Sequence, residues 1–204
     1  IFSVMRVNAG QAEAAVRLAE RMGASSVKFN IVQPTARGER LRETDETLSI
    51  GELLDLGRYV DGELAGATKM KLYFDYPWAF RPLSRIGKSD GCGQCGILNV
   101  LGLIASGDYA LCGIGEHVPE LVFGKAGHDG LTELWEGHPM LKALREGMPS
   151  RLEGVCGRCL MKHMCLGSCV AQNYYRSRSL FGVYWFCEAA EAQGLFPESR
   201  RASG

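Results

Sequence analysis

The chain has 204 residues, 46% of them hydrophobic, with 23 basic and 23 acidic side chains and a formal net charge of zero. That length suits one large domain or two small ones. The charge balance gives no electrostatic reason to expect nucleic acid or an anionic membrane as the main partner, and the sequence shows neither an apolar run of spanning length nor a secretory signal pattern.

Residues 1–80 read as alternating strands and helices. Ile1–Val7 is a short apolar run, and because the chain opens on Ile1 inside it, an upstream part is expected to be missing. Gln11–Met22 carries Ala12, Ala15, Val16 and Ala19 at helical spacing, with Gly23 placed as a C-cap glycine. Val27–Val32 is β-branched and aromatic and is stopped by Pro34. Ser49-Ile-Gly-Glu52 has capping-box form and predicts a helix to about Ala65; Lys69–Phe74 is strand-like again. This β-α-β-α-β order predicts parallel strands with right-handed crossovers, part of a larger α/β barrel or sheet.

Residues 81–91 have the breakers and charges of a linker. Beyond them, Ile97–Ile104 and Asp108–Ile114 flank Ser106-Gly107 and predict a hairpin. Leu131–Glu136 and Met140–Glu146 read as helices, the second with Pro139 at its first position. From Cys156 onward, short turns and helices separate cysteines.

All eight cysteines follow Gly91: Cys92, Cys95, Cys112, Cys156, Cys159, Cys165, Cys169 and Cys187. They are too sparse for a small disulfide scaffold, and CxxC pairs without a secretory signal point to metal in a reducing compartment. Eight thiolates are two sets of four, the requirement of an iron–sulfur cluster or a structural zinc. Cys92-x2-Cys95 with Cys156-x2-Cys159 would make a zinc ribbon, which leaves four cysteines to explain. Short spacings put two sulfurs on one turn, and Gly157, Gly167 and Ser168 let the backbone approach a metal site. On the residues alone, clusters and zinc both stand.

Cys95 is followed by eleven residues, Gly107, four residues and Cys112; then come Cys156-x2-Cys159-x5-Cys165-x3-Cys169 and, alone, Cys187. This order resembles the signature of the SPASM domain, the auxiliary-cluster domain of many radical S-adenosylmethionine (SAM) enzymes. Seven cysteines stand at matching places over roughly the last 110 residues. The phrase from Cys95 to Glu116 is also similar to members of the SynChlorMet-cassette group, in which peptide modification is presumed. The preceding segment resembles the later half of the radical SAM partial TIM barrel. The resemblance implies residues 1–80 as the end of that barrel, 81–91 as a linker, and 92–204 as a cysteine-rich α+β SPASM domain.

The resemblance further implies two interleaved 4Fe–4S clusters. Cys95, Cys112 and Cys169 would serve the first, with Cys92 placed as its fourth ligand. Cys156, Cys159, Cys165 and Cys187 would serve the second. The family's C-x3-C-x2-C motif is absent, so the SAM-binding cluster would lie upstream and this chain alone is expected to be inactive. The full-length enzyme would be cytoplasmic, take SAM, a third 4Fe–4S cluster and a reductant such as flavodoxin or ferredoxin, and abstract hydrogen from a peptide or protein. The auxiliary clusters would relay electrons or hold substrate. A zinc-stabilised interaction module and a ferredoxin-like electron carrier are the other two readings.

Four residues after the strands are candidates for the SAM or substrate side: Arg6, Asn8, Asn30 and Arg37, with Gln33 beside them. Asn8 would otherwise cap the following helix, and Arg37 would otherwise pair with Glu39 or a neighbour. Asp75-Tyr-Pro-Trp78 is similarly placed but suits aromatic packing. His117, His128, His138 and His163 show no ligand pairing; Glu116 and His117 follow the hairpin, where a substrate peptide would pass. Tyr174, Tyr175, Trp185 and Phe186 are expected to exclude water from the clusters.

Overall fold

The computed structural model describes residues 1–86 and 95–202. The chain separates into two compact units, Ile1–Gly93 and Gln94–Gly204. Cys92 and part of the linker segment lie outside the described residues.

The first unit is a three-stranded parallel sheet with its helices in the crossovers. Strands β1 (Phe2–Val4), β2 (Ser26–Ile31) and β3 (Lys71–Phe74) lie in the order β1-β2-β3. The register sets Ser3 beside Asn30 and Phe29 beside both Phe2 and Phe74. Because strand side chains alternate, Val4, Val27, Phe29, Ile31, Leu72 and Phe74 share one buried face. The opposite face carries Ser3, Lys28, Asn30 and Tyr73, none of them fully buried.

Helix α1 (Ala12–Arg21) turns Ala12 and Val16 inward, and Gly23 at φ +74° ends it in the left-handed conformation that glycine adopts without strain. Helix α2 (Arg37–Glu43) was not evident in the sequence, since it buries no side chain. Helix α3 (Ile50–Tyr59) continues into a π-helical segment, Val60–Leu64. That segment brings Asp61 to the buried Tyr76, whose hydroxyl donates to it. Only three parallel strands are present among the described residues, and they form an open sheet rather than a closed barrel.

Ser49 starts α3 with a complete capping box: the Glu52 N–H donates to Ser49 Oγ at 3.3 Å, and the Ser49 N–H donates to the Glu52 carboxylate at 2.7 Å. Ser49→Ala is expected to cost about 1 kcal/mol in urea unfolding. Arg6, then Ser49, hold the Glu52 carboxyl down at about 2 from its ordinary 4.5. A depressed folded-state value stabilises the fold above the unfolded value and loses that contribution as pH falls. Melting temperature is therefore expected to drop between pH 4.5 and 2, and Glu52→Gln should flatten that part of the profile.

The second unit begins with a small antiparallel sheet, β4 (Gly102–Leu103), β5 (Asp108–Ala110) and β6 (Val122–Lys125). Gly107 at φ +82° makes the β4–β5 turn. The sheet strands are shorter than the apolar runs, because Ile97–Asn99 and Gly113–His117 wind into 3-10 turns. The α-helices on either side are short: α4 (Leu83–Ile86) ends the first unit, and α5 (Leu131–Gly137), α6 (Pro139–Gly147), α7 (Gly154–Gly157), α8 (Lys162–Cys165), α9 (Val170–Ser177) and α10 (Trp185–Ala192) belong to the second. Pro139 opens α6 at a position whose N–H would be unpaired in any case. The core of this unit gathers Leu111, Leu121, Leu141, Leu144, Val155 and Phe186, all at most 1% exposed.

Candidate metal centre

Seven cysteines are described, and all seven are reduced thiols. They fall into two groups by which sulfurs act on which. Cys169, the residue before α9, feels Cys112 and Cys95; Cys95 in turn feels Cys112. Cys187 on α10 hydrogen bonds to Cys156 on α7 and feels Cys165 at the end of α8 and Cys159 in the turn between those two helices. Cys165 and Cys169 are four residues apart yet stand in different groups.

Local backbone geometry separates them. Leu166, Gly167 and Ser168 occupy three successive left-handed conformations, with φ of +51°, +72° and +60°. Such a run is strained at Leu166 and Ser168 and must be held by its surroundings. Asn173, 1% exposed, holds it: its Nδ2 donates to Gly167 O at 2.9 Å. On the other arm, a Cβ at Gly102 would lie 3.1 Å from Cys112 Cα, so the glycine lets β4 pass close to that cysteine. Neither Asn173 nor the left-handed loop is visible in the sequence, apart from a polar pair, Gln172-Asn173, in an otherwise apolar first turn of α9.

Backbone amides point at the sulfurs. The Tyr184 N–H donates to Cys156 Sγ at 3.5 Å and the Met161 N–H to Cys159 Sγ at 3.3 Å. The amides of Ile97 at Cys95, and of Gln172 and Ala171 at Cys169, likewise favour the thiolate. Burial opposes them. It pushes the Cys169 thiol up to about 12 and raises Cys95 and Cys159. Between Cys156 and Cys187, the hydrogen bond favours the Cys156 thiolate and keeps the proton on Cys187, which burial holds up further. A bound cation would repay the desolvation of these sulfurs as thiolates.

The donor set tests which cation fits. Around one zinc, four sulfurs must stand about 2.3 Å from a single point. Among the described residues no three His, Cys, Asp or Glu side chains converge in that way. An iron–sulfur cluster gives each cysteine its own iron, so its ligands stand farther apart. The described cysteines offer all-sulfur donor sets, a chemistry that suits iron–sulfur clusters and structural zinc alike.

Aromatic rings adjoin the second group: Trp185 and Phe186, 5% and 0% exposed, precede Cys187, with ring centroids 5.5 Å apart. Tyr174 and Tyr175 are half-buried on α9. His163 is exposed on α8, and His138 packs against Phe123 at 4.4 Å with its imidazole pKa lowered by burial. His117 sits 3.7 Å from its neighbour Glu116 on the surface, and His128 is exposed.

In the first unit each sequence candidate has its own local surroundings. Arg6 is spent on structure: it reaches Glu52 at 2.8 Å, Asp45 at 3.1 Å and the Thr47 carbonyl at 3.0 Å. It thereby braces the end of β1 against α3. Asn8 caps no helix; it closes the turn after β1, accepting from the Met5 N–H at 2.8 Å and donating to Ser3 O at 2.9 Å. Asn30 keeps a buried Oδ1 without a hydrogen-bond partner on the polar sheet face. Arg37 opens α2, exposed, with no ion pair among the described residues. Gln33 folds back to donate to Ile31 O at 3.2 Å. Asp75 follows β3, its carboxyl raised by burial against the pull of Lys28, 3.7 Å away, and Arg81. Trp78 is buried under the Arg81 guanidinium at 4.5 Å.

No family model, curated protein or solved structure matches this chain. No helix among the described residues is long and apolar enough to cross a membrane.

Proposed function

We propose that this chain is the auxiliary-cluster part of a radical SAM/SPASM enzyme that modifies a peptide or protein, and that it holds two 4Fe–4S clusters. One observation carries the reading: seven cysteines sort into two all-sulfur groups, interleaved along the chain, with Cys165 and Cys169 on opposite sides of a left-handed loop. Cys95, Cys112 and Cys169 would hold the first cluster, with Cys92 as its fourth ligand; Cys156, Cys159, Cys165 and Cys187 would hold the second. When bound, such clusters supply one-electron transfer. The chain's own residues anchor them, aim backbone N–H groups at the sulfurs, and exclude water with Trp185 and Phe186.

The first unit, an open parallel sheet with a polar face, suits the end of a partial TIM barrel. Asn30 and Arg37 remain the residues available there to SAM or substrate, whereas Arg6 and Asn8 hold the turn after β1. The cysteines that would bind the SAM-cleaving cluster are not among the eight, so SAM, the third cluster and the flavodoxin or ferredoxin reductant belong to the whole enzyme, in a reducing cytoplasm. Anaerobic reconstitution with iron and sulfide tests the reading. The expected product is brown, contains iron and sulfide, bleaches on reduction and recovers on oxidation. A colourless protein with stoichiometric zinc would establish the interaction module instead.

A further inference from the structure

We propose that Gln172 belongs to the first centre: its side-chain amide donates a hydrogen bond to a sulfur of the cluster held by Cys95, Cys112 and Cys169, and so favours the reduced form of that cluster. This rests on the reading that those cysteines bind an iron–sulfur cluster.

Cys169 is the N-cap residue of α9 and Gln172 is the third residue of the helix. In α3 the same two positions, Ser49 and Glu52, close a capping box, and the Ser49 N–H donates to the Glu52 carboxylate at 2.7 Å. At α9 the box stays open. The Cys169 N–H donates to Gly167 O at 2.8 Å, so the Gln172 carboxamide has no N-cap N–H to accept.

The carboxamide is nonetheless enclosed. Gln172 is 4% exposed, and its Oε1 is buried with no hydrogen-bond partner among the described residues. Helical side chains lean toward the N-terminus, so that of Gln172 covers the turn that begins at Cys169. Helix α9 packs against the 3-10 turn Gly113–His117, whose N-cap residue is Cys112. A buried amide with nothing to bond costs stability that an apolar side chain would not. Its presence beside a cysteine therefore points to a partner that arrives with the bound group.

The adjacent carboxamide is committed elsewhere: Asn173 Nδ2 donates to Gly167 O at 2.9 Å. Gln172 makes no such bond, and its oxygen and nitrogen exchange places by a half-turn about one torsion. The enclosed tip can therefore present either atom. A thiolate-ligated cluster is an anion and offers only acceptors, which selects the amide nitrogen. The positive end of the α9 dipole acts in the same sense. Reduction adds negative charge to the cluster, so a donor aimed at its sulfur favours the reduced form.

The whole chain, reconstituted anaerobically with iron and sulfide, gives a direct readout when its glutamine carries a heavy nitrogen isotope in the side-chain amide only. After reduction with dithionite, pulsed EPR should show a coupling to that nitrogen at one centre. The coupling should persist in Cys165→Ala and vanish in Cys169→Ala. It should also vanish in Gln172→Leu, which should load as much iron as the wild type. In an EPR-monitored redox titration this variant should shift one centre to lower potential and leave the other unmoved. Gln172→Met, closer in length to glutamine, is expected to behave in the same way and replaces the leucine variant if that one loads poorly. No coupling in the wild type, a coupling that survives these substitutions, or full loading with both potentials unchanged would overturn the role of Gln172 and leave the two-cluster reading intact. A wild-type chain that takes up no iron would overturn both.

Discussion

Replacing Cys165 by alanine is expected to remove one centre and leave the other, and replacing Cys169, four residues on, is expected to do the reverse. Each variant should retain about four of about eight irons after anaerobic reconstitution, with different EPR spectra on reduction. The reason is the Leu166-Gly167-Ser168 loop, whose left-handed backbone turns the chain between the two cysteines. Cys165 then acts on Cys187, while Cys169 acts on Cys112 and Cys95. Sequence neighbours in an ordinary metal knuckle bind the same ion, so a single variant that abolished both spectra would refute the interleaving.

The second large effect is expected at Gly157, between Cys156 and Cys159. A Cβ there would lie 2.2 Å from the carbonyl oxygen of Leu152 and 3.1 Å from its carbon. Both are backbone atoms, so no side chain can swing away. The α7 turn must move, and with it the Cys156 sulfur that it carries. Gly157→Ala should cost about 3 kcal/mol in denaturant unfolding and should lose the second centre while the first still loads. Gly113 supplies the contrast: it follows Cys112, and a Cβ there meets nothing within 4 Å. Gly113→Ala should load both centres.

Much of the first unit was legible because its signals are local. The period-two pattern of Val27, Phe29 and Ile31 gave β2, and Ser49 with Glu52 gave the start of α3 to the residue. Helix α2 escaped because its seven residues, Arg37–Glu43, have no apolar stripe to read. The third antiparallel strand, Val122–Lys125, escaped because four residues including a glycine give too little alternation.

The site divides along the same line. The order of the cysteines is a sequence property and could be read directly. What holds them is long-range. Arg6 was read as a binding residue because its brace partners, Asp45 and Glu52, lie 39 and 46 residues away. The bridge between Cys159 and Arg201 joins residues about forty apart, through backbone groups that carry no residue signature. Asn173 acts through Gly167 O, and only a fold that buries both makes that bond matter.

The most direct test of two interleaved sulfur-ligated centres is a Mössbauer spectrum of the chain reconstituted with isotopically enriched iron, quantified per protein. About eight irons are expected, all in two four-iron environments. Iron confined to one centre, or spread over single-ion tetrathiolate sites, would contradict it.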